Sequence, residues 1–492
     1  MPPAAYRNRS PMALRPLDLL IVALYLAGIT AFGVRFRKPR RTLRDYFLAD
    51  RNVPWWAIAL SIVATETSTL TIISIPGLAY DTNLGFLQVA LGYCVGRVVI
   101  SFVLLPLYFR GELFTAYQLI ERRFGPSLRS LTAGMFLLTR AAADGVRIWA
   151  VSMVVMLAIG TGEVASVALI TVLTLIYTLE GGLAAVIWTD VVQLFIYLGG
   201  TLAGLFLILA AVPGGWDAIV ELGSLNSKWQ ALDFSWSFAT PYTFWAGVIG
   251  GGFLTTASHG TDQLMVQRLL AARGLRESRL ALLSSGVVIL LQFALFLVIG
   301  VALFAFYRLA EPSTHFAKSD LVFPTFIVQH MPPGVAGLLI AAILAAAMST
   351  LSSSLSSLAS TTVVDFLLRR RPQADEQHRI GLSRRITFVW AIVLFAVALL
   401  SRRGGRVVEV GLAIASVAYG ALLGVFLLGA LTRVAHSRGA AVGMAAGLAV
   451  NVYAWLWTVL PWTWYVPLGT IVTFVTGYAA SVVLNRNGEA RA

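Results

Sequence analysis

The sequence predicts an all-α polytopic membrane protein of about thirteen transmembrane helices, built around two inverted five-helix repeats. Its composition, its recurring apolar runs and two interrupted spans carry that prediction. Of the 492 residues, 58% are hydrophobic and only 12% charged, with a mean hydropathy of +0.80. A soluble surface of this size would need far more charge. Apolar runs recur from end to end, each long enough to cross about 30 Å of hydrocarbon.

The net charge of +14 does not mark a nucleic-acid protein, because the positive residues lie in short loops between apolar runs. That is the pattern expected beside anionic lipid. The single cysteine, Cys94, offers neither a disulfide framework nor a thiolate metal site. Basic residues precede the first apolar run, which continues to Val34 without a small-residue cleavage site, so it reads as a retained span.

The spans are expected at 17–34, 54–80, 84–108, 130–159, 163–179, 188–212, 241–270, 280–307, 334–366, 384–401, 407–431, 439–459 and 464–484. The loop after span one carries Arg35, Arg37, Lys38, Arg40, Arg41, Arg44 and Arg51. Alternate later loops carry Arg122 and Arg123, then Arg268, Arg273, Arg276 and Arg279, then Arg369, Arg370, Arg371, Arg379, Arg384 and Arg385. The remaining loops are poor in cations apart from Arg402, Arg403 and Arg406. The bias puts the N-terminus outside and the C-terminus in the cytoplasm of a plasma or inner membrane.

Span two is interrupted by Ala64-Thr65-Glu66-Thr67-Ser68-Thr69, and span seven by Gly250-Gly251-Gly252 and Thr255-Thr256-Ala257-Ser258-His259-Gly260. Such interruptions persist in a membrane only where they line a cavity or are buried in protein. The two spans are five apart, so each opens a five-helix unit, and an odd number of helices inverts the second. Paired broken helices at matching positions point to a binding site near the membrane midplane. Span nine holds Ser349, Ser352, Ser353 and Ser356 on one helical face. Such hydroxyls bond back to carbonyls or allow close packing in many spans, or they offer oxygens to a hard cation. In span four Arg140, Asp144 and Arg147 share one face, where charge is expensive and usually functional. They read either as a self-neutralising network or as a receptor for a carboxylate, which guanidinium binds bidentately.

Several motifs together resemble the sodium/solute symporter family over nearly the whole chain: Gly181-Gly182-Leu183-Ala184-Ala185-Val186-Ile187-Trp188-Thr189-Asp190 with Gln193, Leu119 to Gly125, Thr261-Asp262-Gln263 with Gln267-Arg268, and Tyr419-Gly420 with Leu422-Leu423-Gly424. Members carry sugars, proline, sialic acid, monocarboxylates, pantothenate and iodide. The resemblance implies a leucine-transporter-like fold in a single transporter domain: a peripheral first helix (17–34), two repeats (54–212 and 241–431) and two C-terminal helices (439–484). It implies sodium as coupling ion, with no organic cofactor. A first sodium seat would use the carbonyls of Ala64, Thr67 and Ala346 and the hydroxyls of Ser349 and Thr350. A second would use Asp190 with Ser349, Ser352 and Ser353, although Asp190 also reads as a helix-capping charge.

The same resemblance places the solute beside the first seat. It would touch Thr65, Glu66, Ser68 and Thr69 in span two, Gln88 in span three, Arg140 or Arg147 in span four, and Thr255, Ser258 and His259 in span seven. Ser258, Leu70 and Thr71 stand where sugar carriers place an aromatic gate and sugar ligands, which disfavours a sugar. The expected activity is alternating-access import of a small organic anion, with a zwitterionic amino acid as the alternative and a non-transporting solute sensor as the rival class. A sensor normally carries a signalling domain, and no stretch between spans is long enough to hold one. The five histidines and one cysteine do not assemble a membrane-embedded enzyme's nucleophile–base or metal set. A monomer suffices for this activity.

Overall fold

The structure, a computed structural model, describes residues 15–36, 42–111, 113–159, 161–316, 318–370, 375–401 and 407–489. A few side chains within helices, Thr69 among them, lie outside the description, as do Arg37, Lys38, Arg40, Arg41, Arg371, Arg402, Arg403 and Arg406 from the orientation argument. Twenty α-helices follow one another. They are α1 Pro16–Val34, α2 Leu43–Leu48, α3 Trp55–Glu66, α4 Thr69–Asp81, α5 Leu87–Val99, α6 Leu105–Tyr108, α7 Tyr117–Phe124, α8 Pro126–Ile159, α9 Glu163–Ala211 and α10 Gly215–Leu225. Then come α11 Gly251–Gly260, α12 Gln263–Leu270, α13 Leu275–Leu309, α14 Val322–His330, α15 Val335–Thr361, α16 Leu368–Arg370, α17 Glu376–Leu400, α18 Val407–Leu431, α19 Ser437–Trp457 and α20 Tyr465–Glu489.

Helix occupies each of the thirteen expected stretches. Among the described residues nine helices are long and apolar enough to cross a membrane, or ten with the bent pair α3–α4. The shortfall falls on α8 with its charges, on the short segment opening α9, and on span seven, which is divided. The boundary between spans five and six is a point rather than the expected loop. α9 runs through it, turning only at Gly182, whose φ of 59° and ψ of −160° suit a residue without a Cβ.

The first break falls where the sequence places it. α3 ends at Glu66, Thr67 and Ser68 are non-helical, and α4 departs at 59°. The second does not. Gly250–Gly252 and the Thr255–Gly260 tract are helical, and span seven breaks at Thr261 and Asp262, between α11 and α12. Its glycines serve close packing instead. A Cβ on Gly92 would strike the Gly247 carbonyl, and one on Gly251 would lie 2.5 Å from the Val89 carbonyl. Their absence lets α11 lie backbone to backbone on α5.

α15 is the most enclosed of the long apolar helices, with 89% of its apolar window buried against 22% for α1. It packs on α9, α8, α1, α17, α12 and α3, so its hydroxyls face protein rather than lipid. α1 lies at the periphery against α9 and α15.

Candidate cation and solute site

The break in span two frees the backbone oxygens that a cation requires. The Ser68 N–H would bond the Ala64 carbonyl in a continuous helix; it donates to the Glu66 carbonyl at 3.1 Å instead. The Thr71 N–H likewise turns to the Ser68 carbonyl at 2.9 Å, away from that of Thr67. Ala64 and Thr67 are both wholly buried, and Gln292 Nε2 holds the Thr67 hydroxyl at 2.5 Å. Across from them, the Thr350 hydroxyl donates to the Ala346 carbonyl at 3.1 Å. Thr65 Oγ1 and Ser353 Oγ, 3.3 Å apart, join α3 to α15 here. The five residues of the expected first seat thus lie on two packed segments, the end of α3 with its break, which frees carbonyls, and α15, which carries hydroxyls.

Asp190 is fully buried and does not act as a solvent-facing cap. Its Oδ1 accepts from Ser349 Oγ at 2.6 Å. Its Oδ2 accepts from Ser61 Oγ at 2.6 Å, Thr65 Oγ1 at 3.3 Å and Arg268 Nη2 at 2.9 Å. Arg268 also donates to Ser353 and, at 2.8 Å, to Ser61. Ser352 bonds back to the Ser349 carbonyl at 3.0 Å. A guanidinium therefore stands among the oxygens expected to hold a second sodium, and Ser352 turns to its own helix.

Between α3, α4, α5, α8, α11, α12, α13 and α18 lies a cavity of about 110 Å³. Thr65, Glu66, Ser68, Arg140, Arg147, Thr255, Ser258 and His259, all expected to touch solute, line it. Gln88 does not. Its amide is committed to the Gly85 and Tyr242 carbonyls and the Asp233 N–H, fastening the loop before span seven to α5. The rest of the wall includes Ile75, Phe86, Tyr93, Phe293, Leu254 and Leu412, aromatic and aliphatic groups that the motifs do not mark, and Tyr419, which they do.

Two buried networks set the charge of this cavity. Arg97, which the sequence reading passed over, pairs with Glu66 and donates to Ser285 Oγ and the Tyr93 carbonyl, both at 3.1 Å. His259 Nε2 lies 3.4 Å from Glu66, and its Nδ1 is 2.9 Å from the Ser258 hydroxyl. A lone arginine in an apolar span is itself a signal, and Arg97 carries it. In the second network Arg140 grips both oxygens of Asp144 at 2.6 and 2.7 Å and reaches Asp262 at 3.3 Å. Tyr419 adds a 2.5 Å bond to Asp262. Arg147 makes one bond, 3.2 Å to Asp144, and keeps 21% of its side chain exposed. Arg147 and Ser68 also line a small void of about 10 Å³ bounded by Ala347, Thr350 and Leu351. The guanidinium with donors to spare therefore adjoins Thr350, one of the residues expected to seat sodium.

Broken helices, freed carbonyls and buried charge around a central cavity suit a membrane carrier. The profile of the Sodium:solute symporter family matches residues 46–447, and the chain belongs to that family: it is a sodium-coupled symporter. It is 29% identical to the sodium/sialic acid symporter NanT of Aliivibrio fischeri, over 96% of this chain and 94% of that one. It is 28% identical to the human sodium/iodide cotransporter, over 95% and 73%. A solved Na+-coupled sialic acid symporter in a substrate-bound outward-open state superposes with a TM-score of 0.87 at 27% identity, covering 95% of this chain and 98% of that one. Mhp1, a nucleobase-cation-symport-1 family transporter, superposes with a TM-score of 0.59 at 15% identity, over 92% and 96%, and shares the fold.

Proposed function

We propose that the chain imports a small organic anion together with sodium, with Arg147 receiving the carboxylate and Ala64, Thr67, Ala346, Ser349 and Thr350 seating the ion. The partial pairing of Arg147 carries this reading. Arg140 has both its faces occupied by Asp144 and Asp262, whereas Arg147 has donors without a partner among the described residues. A substrate carboxylate there would gain charge-assisted bonds, and the apolar wall opposite suits an aliphatic or aromatic body.

Charge balance supports the same conclusion. Around the cavity stand three guanidinium groups, Arg97, Arg140 and Arg147, and three carboxylates, Glu66, Asp144 and Asp262. The frame is neutral before anything binds. A lone sodium or a lone anion would leave an uncompensated charge in a low-dielectric site, and the pair would not. Each therefore favours the other, which is the physical content of coupling. A zwitterion would want a carboxylate for its amine, and Glu66 is already engaged by Arg97 and His259. The sialic acid relatives carry an organic acid by name, as do the sodium-coupled monocarboxylate transporters.

In the cycle, sodium binds from outside, completes the pocket and admits the anion; the repeats then rock and open inward. The N-terminus outside and C-terminus inside follow from the arginine bias, and a monomer suffices. Counterflow in proteoliposomes tests the solute class. Monocarboxylates or sialic acid should compete, and zwitterionic amino acids should not; competition confined to zwitterions overturns the reading.

A further inference from the structure

We propose that Arg268 is a resident cation that competes with sodium for Asp190, so that ion occupancy and the position of α12 exclude each other. This rests on the sodium-symport reading. Arg268 and Asp190 are 1% and 0% exposed, and every guanidinium nitrogen has a partner. Nη2 faces Asp190 Oδ2 at 2.9 Å and Ser353 Oγ, Nε faces Ser61 Oγ at 2.8 Å, and Nη1 faces the Leu264 carbonyl at 2.8 Å. With Thr65 Oγ1 close by, these oxygens are the donor set a hard monovalent cation takes. Only one positive charge fits beside a single buried carboxylate without strong repulsion.

Arg268 belongs to α12, which follows the break in span seven. Gln263 of the same helix fastens to Phe114 and Ala116, and Gln267 to the Phe47 carbonyl and Ser356. Sodium can take Asp190 only if α12 draws the guanidinium away, and Arg268 can return only as the ion leaves. The fixed charge thus neutralises Asp190 on the empty return, when no ion is present to do so.

The test reads sodium-dependent melting temperature of the purified protein, with choline replacing sodium, in a Thr350→Ala background that weakens the first seat. Adding Arg268→Gln should lower the half-saturating sodium concentration at least about tenfold, because the competitor is gone. Adding Asp190→Asn to that pair should abolish the gain. Arg268→Lys, which keeps the charge, should stay within about threefold of the background. A variant that folds in sodium but not in choline also supports competition. A sodium response in Thr350→Ala/Arg268→Gln no stronger than in Thr350→Ala overturns it, as does a variant unfolded even in saturating sodium. If Thr350→Ala alone keeps the full response, the first-seat assignment fails, and the Asp190-dependent difference still decides this inference.

Discussion

Arg140 and Arg147 lie seven residues apart on α8 and face the same cavity, yet their surroundings separate them. Arg147→Gln should raise the KM for the anion by roughly 10- to 100-fold, the worth of a charge-assisted bond, with folding retained. Arg140→Gln should instead lower the melting temperature, because it leaves Asp262 without its cation in the interior and Asp144 with Arg147 as its one guanidinium. Arg97→Gln should cost about 3–5 kcal/mol by removing the guanidinium from Glu66 and leaving it only His259, and Glu66→Gln in the same chain should restore most of it; thermal unfolding checks both. Ser349→Ala with Thr350→Ala should raise the half-saturating sodium concentration for uptake more than about tenfold, since two ligands at about 1 kcal/mol each are lost. The shared face of Arg140, Asp144 and Arg147 was legible from their spacing alone. Which guanidinium is left underused was not, because the partners Asp262 and Tyr419 come from α12's cap and α18, more than a hundred residues away.

The broken helix of span two announces itself in sequence because polar residues interrupt an apolar run at one place. In span seven the glycines misled. Gly250–Gly252 read as a break, but Gly251 serves the close approach to α5 and Gly250 that to Thr463, and the helix yields at Thr261–Asp262, where the Asp262 side chain caps α12 through the Leu264 N–H at 2.9 Å. A glycine tract and a helix break look alike until the neighbouring helix is known. Gly92→Ala should therefore destabilise the protein by about 1–3 kcal/mol through overpacking, read as a fall in melting temperature. An unchanged value would contradict the close approach. Gln88 is a similar case, since its sequence position suggests a solute ligand while three loop partners claim its amide.

At the scale of the whole molecule, the inverted arrangement places the freed-carbonyl break of span two against α15, and α12 packs on both α3 and α15. A membrane potential of about 100 mV adds about 2.3 kcal/mol per net charge moved, and a tenfold sodium gradient adds about 1.4 kcal/mol per ion. A monoanion moving with one sodium gains only the chemical gradient and concentrates about tenfold; a second ion would add both a further gradient and the potential. The fold class and the helical stretches could be read from composition, run length and motif. The guanidinium at Asp190 could not, because its partners meet only when α3, α9, α12 and α15 assemble. The most direct test is uptake of a labelled small carboxylate by proteoliposomes with and without an inward sodium gradient. Accumulation is expected only with the sodium gradient, and it should be lost in Ser349→Ala/Thr350→Ala. Accumulation driven by a pH gradient and indifferent to sodium would contradict that expectation.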